Sequence, residues 1–371
     1  MKVFVPRTSP EEDHRIALTP DIAKRFVDGG AHVYIERGAG EKSFFSDDEY
    51  SSAGAHCVDS DRIYSDSGIF LLVGAHNDDM VSRIPKDSCI VGMLGGSACK
   101  FSSLLRKNGV SAFSLELLPR ISRAQSMDVL SSQNNLYGYA AVLLATYHIR
   151  KVFPVFMTSA GSTRGVRVLV LGAGVAGLQA IATAKRLGAN VFAFDVRSSA
   201  KEQVESVGGK FVSVDPDSES SESSSGYASE MSEEYRSKQR SSIASAAKNS
   251  DIVICSALIP GKEPPLLIDK SIISEMKKGS VIIDIASDRA YEVNANDTMR
   301  GNCELSKKGR SLSVDGVTVV GPEYGLNAVS KDASSMYSRN LFEFVKLLNG
   351  GDDIRKYRLD DELLESTLIS R

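Results

Sequence analysis

The chain is 371 residues long, 42% hydrophobic, 25% charged and 7% aromatic, with no Trp. At about 150 residues per domain this makes two to three domains, each able to bury a core without a disulfide or metal staple. A formal charge of −3 argues against a partner recognised through its phosphates, so no nucleic acid is expected.

No apolar run reaches the ~18 residues that cross a bilayer; the longest, Ala140 to Ala145, is soon interrupted by His148, Arg150 and Lys151. The N-terminus, Met1 to Pro6, reads as a strand and lacks the apolar core of a signal peptide. Five cysteines (Cys57, Cys89, Cys99, Cys255, Cys303) are odd in number and form no CxxC pair. Neither a disulfide framework nor a metal site is expected from them, and the chain reads as cytoplasmic. The five histidines end at His148, so the last 223 residues supply no His general base.

The first 120 residues alternate short β-type runs with helical patterns. Strands are predicted at Lys2–Val5, His32–Glu36, Ile69–Val73, Cys89–Leu94 and Val110–Leu115. Thr19 and Pro20 predict a helix start, with Thr as N-cap and Pro at the first position; Gly29 and Gly30 predict its end. Such alternation predicts a parallel α/β sheet. Pro119 to Asp128 reads as a polar loop feeding a long helical stretch that runs to Phe153.

A second α/β region follows, with strands predicted at Arg167–Leu171, Asn190–Asp195, Lys210–Val214, Asp251–Cys255, Val281–Ile285 and Val317–Val320. Helical patterns at Val175–Leu187, Ala200–Val207, Glu230–Lys248 and Ile268–Lys277 separate most of them. Continuous Val/Ile/Phe runs are the pattern of strands buried on both faces, so this is a doubly wound sheet. The tail Lys331–Leu348 is amphipathic through Met336, Leu341, Phe342, Val345 and Leu348, and is expected to return to the first domain. The domains expected are 1–125 with 325–371, and 126–324. The stretch Asp215 to Tyr227 is rich in Ser and Glu without apolar anchors, and reads as a disordered surface loop or a mobile flap over residues 215–230.

Chemistry concentrates in two places. Gly172-Ala-Gly174-Val175-Ala-Gly177 follows a strand and opens a helix, as the dinucleotide fingerprint requires. Gly172 permits the tight turn, Gly174 lets a pyrophosphate approach the backbone, and Gly177 allows close helix–strand packing. Asp195 closes the next strand, where a carboxylate accepts from the adenosine ribose hydroxyls and disfavours a 2′-phosphate, so NAD(H) is the cofactor expected. Arg197 tempers that choice. The second place is Arg120, Arg123, Gln125, Asp128 and Ser131, a loop dense in donors and acceptors. Such a loop suits a carboxamide and a ribose, or it is a solvated loop with an Arg–Asp surface pair.

The stretch Pro119–Tyr139 (PRISRAQSMDVLSSQNNLYGY) resembles the NAD(H)-binding component of proton-translocating nicotinamide nucleotide transhydrogenases. So do Gly174–Ala189, Asp195-Val196-Arg197, Lys201–Phe211 and Ala257–Lys262 (ALIPGK). The resemblance implies two Rossmann-like domains with NAD(H) in the cleft between them, usually in a homodimer. It implies that Arg120, Gln125 and Asp128 hold the nicotinamide and its ribose, with Ser131 beside them. Val175, Val196, Ala257 and Leu258 are implied as further nucleotide contacts, and Gly226 and Tyr227 as the pair on a closing flap.

The reaction implied is hydride transfer between NADH and NADP⁺, the latter on a partner subunit, with proton translocation through membrane-spanning partner subunits. That would hold the chain peripherally at the inner membrane. Leu72 and Met93 stand about where the related alanine dehydrogenases carry a Lys and a His for their oxoacid. Gly321–Ser330 lacks the Pro-Ser-Arg of the family, and Asp288–Arg300 reads as an insertion. An amino-acid dehydrogenase and a non-catalytic NAD-binding protein stay open as alternatives.

Overall fold

The computed structural model describes residues 1–7, 12–74, 78–96, 99–213, 233–259, 263–289, 300–348 and 361–371. The chain is α/β and divides into unit 1, Met1–Gln133 with Leu326–Arg371, and unit 2, Asn134–Gly325.

Unit 1 is built on strands β1 (Lys2–Val5), β2 (His32–Glu36), β3 (His56–Val58), β4 (Ile69–Gly74), β5 (Cys89–Met93) and β6 (Ser111–Ser114). With the C-terminal strand Leu368–Ser370 they form a seven-stranded sheet in the order C-terminal strand, β6, β5, β4, β1, β2, β3. All pairs are parallel except the C-terminal strand against β6. Every residue of β4 and β5 is buried, which is why both read as unbroken apolar runs.

Helix Pro20–Asp28 begins on Pro20 with Thr19 at the N-cap, as its sequence predicts, but the Thr19 side chain makes no capping hydrogen bond. Its hydroxyl donates instead to Asp21 at 2.6 Å, because a carboxylate two residues on is a strong acceptor for it. Gly30, at φ +84°, makes the left-handed exit. Helix Ser330–Leu347 buries Tyr337, Leu341, Phe344 and Val345 in the unit 1 core. Leu341, Val345 and Leu348 are buried as predicted, but Met336 is 38% exposed and Tyr337 is buried in its place, its hydroxyl finding partners on β4 and β5. The first turn of helix Val129–His148 belongs to unit 1 because Gln133 is tied to it. Gln133 accepts from Arg15 and donates to the Ala333 carbonyl.

In unit 2, the rest of helix Val129–His148 is followed by the hairpin β7 (Met157–Thr158) and β8 (Gly161–Ser162). Its sheet contains β9 (Arg167–Leu171), β10 (Asn190–Phe194), β11 (Lys210–Phe211), β12 (Ile252–Cys255), β13 (Val281–Asp284), β14 (Arg310–Val314) and β15 (Val317–Gly321). The order is β11-β10-β9-β12-β13-β15-β14, parallel except for β14 against β15. Helices Val175–Arg186, Ala200–Ser206, Glu233–Lys248 and Lys270–Glu275 connect the strands. The chain runs outward in one direction from β9 to β11 and in the other from β12, so the topological switch point lies between β9 and β12. Ligands of such sheets bind outside the strand ends there. Among the described residues no helix is long and apolar enough to cross a membrane.

Candidate functional site

In unit 2, β9 ends at Leu171 and the next helix begins at Val175, so three residues make the whole turn. Gly172 sits at φ +95°, and a Cβ on it would lie 2.8 Å from the Ala257 nitrogen. A Cβ on Gly177 would lie 1.8 Å from the Gly172 carbonyl oxygen, so helix and turn meet backbone to backbone. Gly174 differs: nothing lies within 4 Å of its Cβ position, and Val175 beside it is 40% exposed. This is the geometry of a turn left open for a close-approaching ligand at a helix N-terminus. A further glycine, Gly138, escapes the motif-based reading, yet its Cβ would fall 2.0 Å from the Ala176 carbonyl oxygen. A glycine inside an otherwise helical pattern is the signal that could have found it.

Asp195 follows β10, with its side chain only 8% exposed. One oxygen accepts from the Ala173 N–H of the glycine turn at 2.7 Å and from the Arg197 guanidinium at 3.0 Å. The other accepts from the Arg197 backbone N–H and Nε, both at 2.9 Å. Asp195 therefore braces the turn and neutralises Arg197. A ribose hydroxyl that reaches this carboxylate must replace one of those donors. Val196, between them, is half-buried and packs on the unit 2 core.

The loop after β12 completes the turn's surroundings. Ser256 donates to the carbonyls of Leu171 and Gly172 at 3.2 and 2.9 Å. Ala257 and Leu258 are half-buried. Asn302, unremarkable in the sequence, holds Ala257 by both its N–H (2.9 Å) and its carbonyl (2.8 Å). Nearby, burial pushes Asp284 from its ordinary 3.8 up to about 6, although the Ser306 hydroxyl and the Cys303 N–H donate to it.

In unit 1, Ser122–Met127 is a 3₁₀ helix pinned by buried Ala124 and Met127. Asn340 donates to the Ser126 carbonyl at 2.8 Å and accepts from Ser132 at 2.7 Å. On this fixed spine Gln125 is exposed, as is Arg120 just before it. Arg123 pairs with Asp361, the N-cap of helix Glu362–Thr367. Asp128 accepts from the Ser131 N–H at 2.9 Å and from the Ser131 hydroxyl, so it caps helix Val129–His148. Leu72 and Met93 are buried apolar side chains on neighbouring strands of the sheet. The strand ends of unit 2 thus gather Gly172, Gly174, Val175, Gly177, Asp195, Val196, Arg197, Ala257 and Leu258. The unit 1 loop gathers Arg120, Arg123, Gln125, Asp128 and Ser131. Gly226, Tyr227 and the expected flap lie outside the described residues.

The family profile "Alanine dehydrogenase/PNT, N-terminal domain" matches residues 4–137, and "Alanine dehydrogenase/PNT, C-terminal domain" matches residues 141–371. The chain belongs to the alanine dehydrogenase/PNT family. Within this family it is 40% identical over 380 residues to a protein of Rhodospirillum rubrum named as the first portion of NAD(P) transhydrogenase subunit alpha, covering 100% of this chain and 96% of that one. The crystal structure of transhydrogenase from Sinorhizobium meliloti superposes with a TM-score of 0.88 at 35% identity, covering 100% of this chain and 99% of that one. An L-alanine dehydrogenase structure superposes with a TM-score of 0.79 at 22% identity over 99% of this chain and 94% of that one, and shows the shared family fold.

Proposed function

We propose that this member of the alanine dehydrogenase/PNT family is the NAD(H)-binding component of an NAD(P) transhydrogenase. The observation that carries the reading is the open Gly174 between the closed contacts of Gly172 and Gly177, with a carboxylate at the end of the neighbouring strand. The Gly172–Gly177 turn holds the pyrophosphate, and Asp195 meets the adenosine ribose. Because Arg197 is already bound bidentately by Asp195, its charge is not free to attract a 2′-phosphate, which favours NAD(H) over NADP(H).

The chemistry of NADH when bound is hydride donation to NADP⁺ on a partner subunit. Transfer between two nicotinamides needs no protein acid or base, which suits a unit 2 whose sequence holds only His148. The chain's own part is positioning. The pinned spine of Ser122–Met127 supports a fixed presentation of Arg120 and Gln125 to the nicotinamide end, with Asp128 and Ser131 on the adjoining helix start. Leu72 and Met93 offer an oxoacid neither a cation nor a proton, which favours this reading over an amino-acid dehydrogenase. The membrane-spanning subunits that carry the proton, and the NADP(H)-binding domain, are the partners this function requires. They would hold the chain at the inner membrane.

A homodimer fits unit 2, where Tyr147, Val155, Phe156 and Met157 are 50–85% exposed around a hairpin of two residues per strand. A second copy would cover this patch, and a monomer in sedimentation would overturn it.

Two measurements test the function. Calorimetry should find NADH bound at least about tenfold more tightly than NADPH, the size of one lost charge-assisted contact; equal affinities would overturn the NAD(H) assignment. Gln125→Ala should slow single-turnover hydride transfer to NADP⁺ on the partner by about 10²-fold while NADH affinity falls only a few-fold. An unchanged rate at saturating NADH removes Gln125 from the mechanism.

A further inference from the structure

We propose that Asn302 is a positioning residue for the nicotinamide half of the dinucleotide, acting through the backbone of Ala257; this rests on the dinucleotide reading of the Gly172–Gly177 turn. Asn302 is fully buried in unit 2, and each polar atom of its carboxamide is used. Its Oδ1 accepts from the Ala257 N–H at 2.9 Å, and its Nδ2 donates to the carbonyls of Ala257 at 2.8 Å and Pro265 at 3.0 Å. One carboxamide thus grips a residue by both its N–H and its C=O, as a neighbouring strand would, beyond the point where β12 has ended. It also ties that residue to Pro265.

Asn302 is itself held from both sides. Its carbonyl accepts from the N–H groups of Leu267 and Ile268 at 2.8 and 3.0 Å. The adjacent Cys303 N–H donates to buried Asp284 at 2.8 Å. Gly301 runs so close to that carboxylate that a Cβ would lie 2.4 Å from one oxygen and 2.5 Å from the other. The clamp is therefore rigid, and its other end is the glycine turn. Ala257 backbone atoms lie 2.8 and 2.9 Å from the Cβ position of Gly172. Asn302 sets where the loop after β12 stands relative to that turn.

The strand order decides which part of the ligand this serves. Asp195 and the adenosine ribose lie on the β10 side of β9, whereas Ala257 lies on the β12 side, across the switch point. A dinucleotide spans that crevice, so the β12 side receives the nicotinamide half. A residue that only stabilised unit 2 would affect every nucleotide alike. One that positions the β12 loop should separate NADH from 5′-AMP, which lacks the nicotinamide half.

The test is calorimetric titration of NADH and of 5′-AMP into the full chain and its Asn302→Ala variant, alongside thermal unfolding. Asn302→Ala should weaken NADH by about tenfold, the size of one or two lost hydrogen bonds, and leave 5′-AMP within about twofold. If the native chain binds neither ligand, the dinucleotide reading has failed first. If the native chain binds both and the variant matches it, or loses both in parallel, the positioning role is overturned. Should Asn302→Ala not fold, Asn302→Ser, which keeps a short hydroxyl in the clamp, is read on the same pair of titrations.

Discussion

At the carboxyl end of β9 the chain turns through Gly172 and Gly174, and Gly174 faces open space. At the carboxyl end of β5, in unit 1, it turns through Gly95 and Gly96, both at positive φ, but that turn holds an internal anion. The N–H groups of Leu94 and Gly95 donate to the Glu116 carboxylate at 3.0 and 2.9 Å, and Gly96 donates to Ser114 at 3.0 Å. Beside it, the Tyr337 hydroxyl donates to the Leu72 carbonyl and accepts from the Met93 N–H, stitching β4 to β5. Two sheets of the same kind therefore end in opposite ways. A glycine turn is a cradle for phosphate only where the chain has not already supplied the negative charge.

The largest effect expected comes from the two glycines of unit 2 that look alike in sequence and differ in space. Gly177→Ala forces a Cβ to 1.8 Å from the Gly172 oxygen, so helix and turn must separate. Unit 2 should lose about 3 kcal/mol or more, with NADH binding abolished. Gly174→Ala meets no neighbour, so stability should stay within about 0.5 kcal/mol. Its methyl group nevertheless enters the open space proposed for the pyrophosphate, and on that proposal NADH should weaken about tenfold or more. Urea unfolding and calorimetry on both variants read the contrast. Unchanged NADH binding by Gly174→Ala would mean that the open end is not the ligand's seat.

Asp284 sharpens the comparison in another way, because it is a carboxyl that unit 2 buries beneath its loops instead of placing in its turn. Burial raises its pKa from 3.8 to about 6. Below pH 3.8 the folded and unfolded chains both hold the proton, and no stability difference arises. Between pH 3.8 and 6 the unfolded chain releases it while the folded chain retains it, so stability falls as pH rises and the loss is complete above about pH 6. The gap between native protein and Asp284→Asn should therefore shift by about 2 kcal/mol in favour of the variant from pH 4 to 7. Asp251 and Asp269, whose pKa values are held down by Lys151 and Arg167 and by Ser271 and Arg240, change stability in the opposite sense. They cancel in the difference. A gap independent of pH in urea titrations would show that Asp284 is charged in the fold.

How much of this is legible in the sequence depends on how local each signal is. The Gly172–Gly177 turn, the central strands and the helix start at Pro20 are written in contiguous residues, and the structure has them where the sequence predicts. What the sequence conceals depends on distant partners. β3, β14 and the C-terminal strand are short or exposed and carry no apolar run; they exist because a neighbouring strand offers its edge. Asn302 has no motif around it, and its meaning comes from Ala257, 45 residues earlier. Most of the inward row of helix Ser330–Leu347 (Leu341, Val345, Leu348) lies where predicted, but its first member is Tyr337, because hydrophobicity favours Met336 whereas the backbone polar groups of β4 and β5 favour the hydroxyl of Tyr337. Asp195 is legible as a carboxylate at the right place, but not as one already holding Ala173 and Arg197.

The smallest effect tests the loop of unit 1, where sequence and geometry part over a single arginine. By pattern Arg123 belongs with Arg120, Gln125 and Asp128 as a nucleotide contact. In the fold its guanidinium pairs with Asp361, which at the same time caps helix Glu362–Thr367 by accepting from the Leu363 N–H at 3.0 Å. The Arg123 side chain is 49% exposed, so water and salt screen the pair. Such exposed pairs contribute little, and the cap survives without the arginine. Arg123→Ala should cost unit 1 little stability, with most of that cost gone at high salt, where exposed pairs are screened. Since the guanidinium is already engaged by Asp361, NADH affinity should change less than about twofold. A tenfold loss of NADH affinity would instead mean that Arg123 leaves Asp361 for the ligand, making the C-terminal helix a competitor for the same charge.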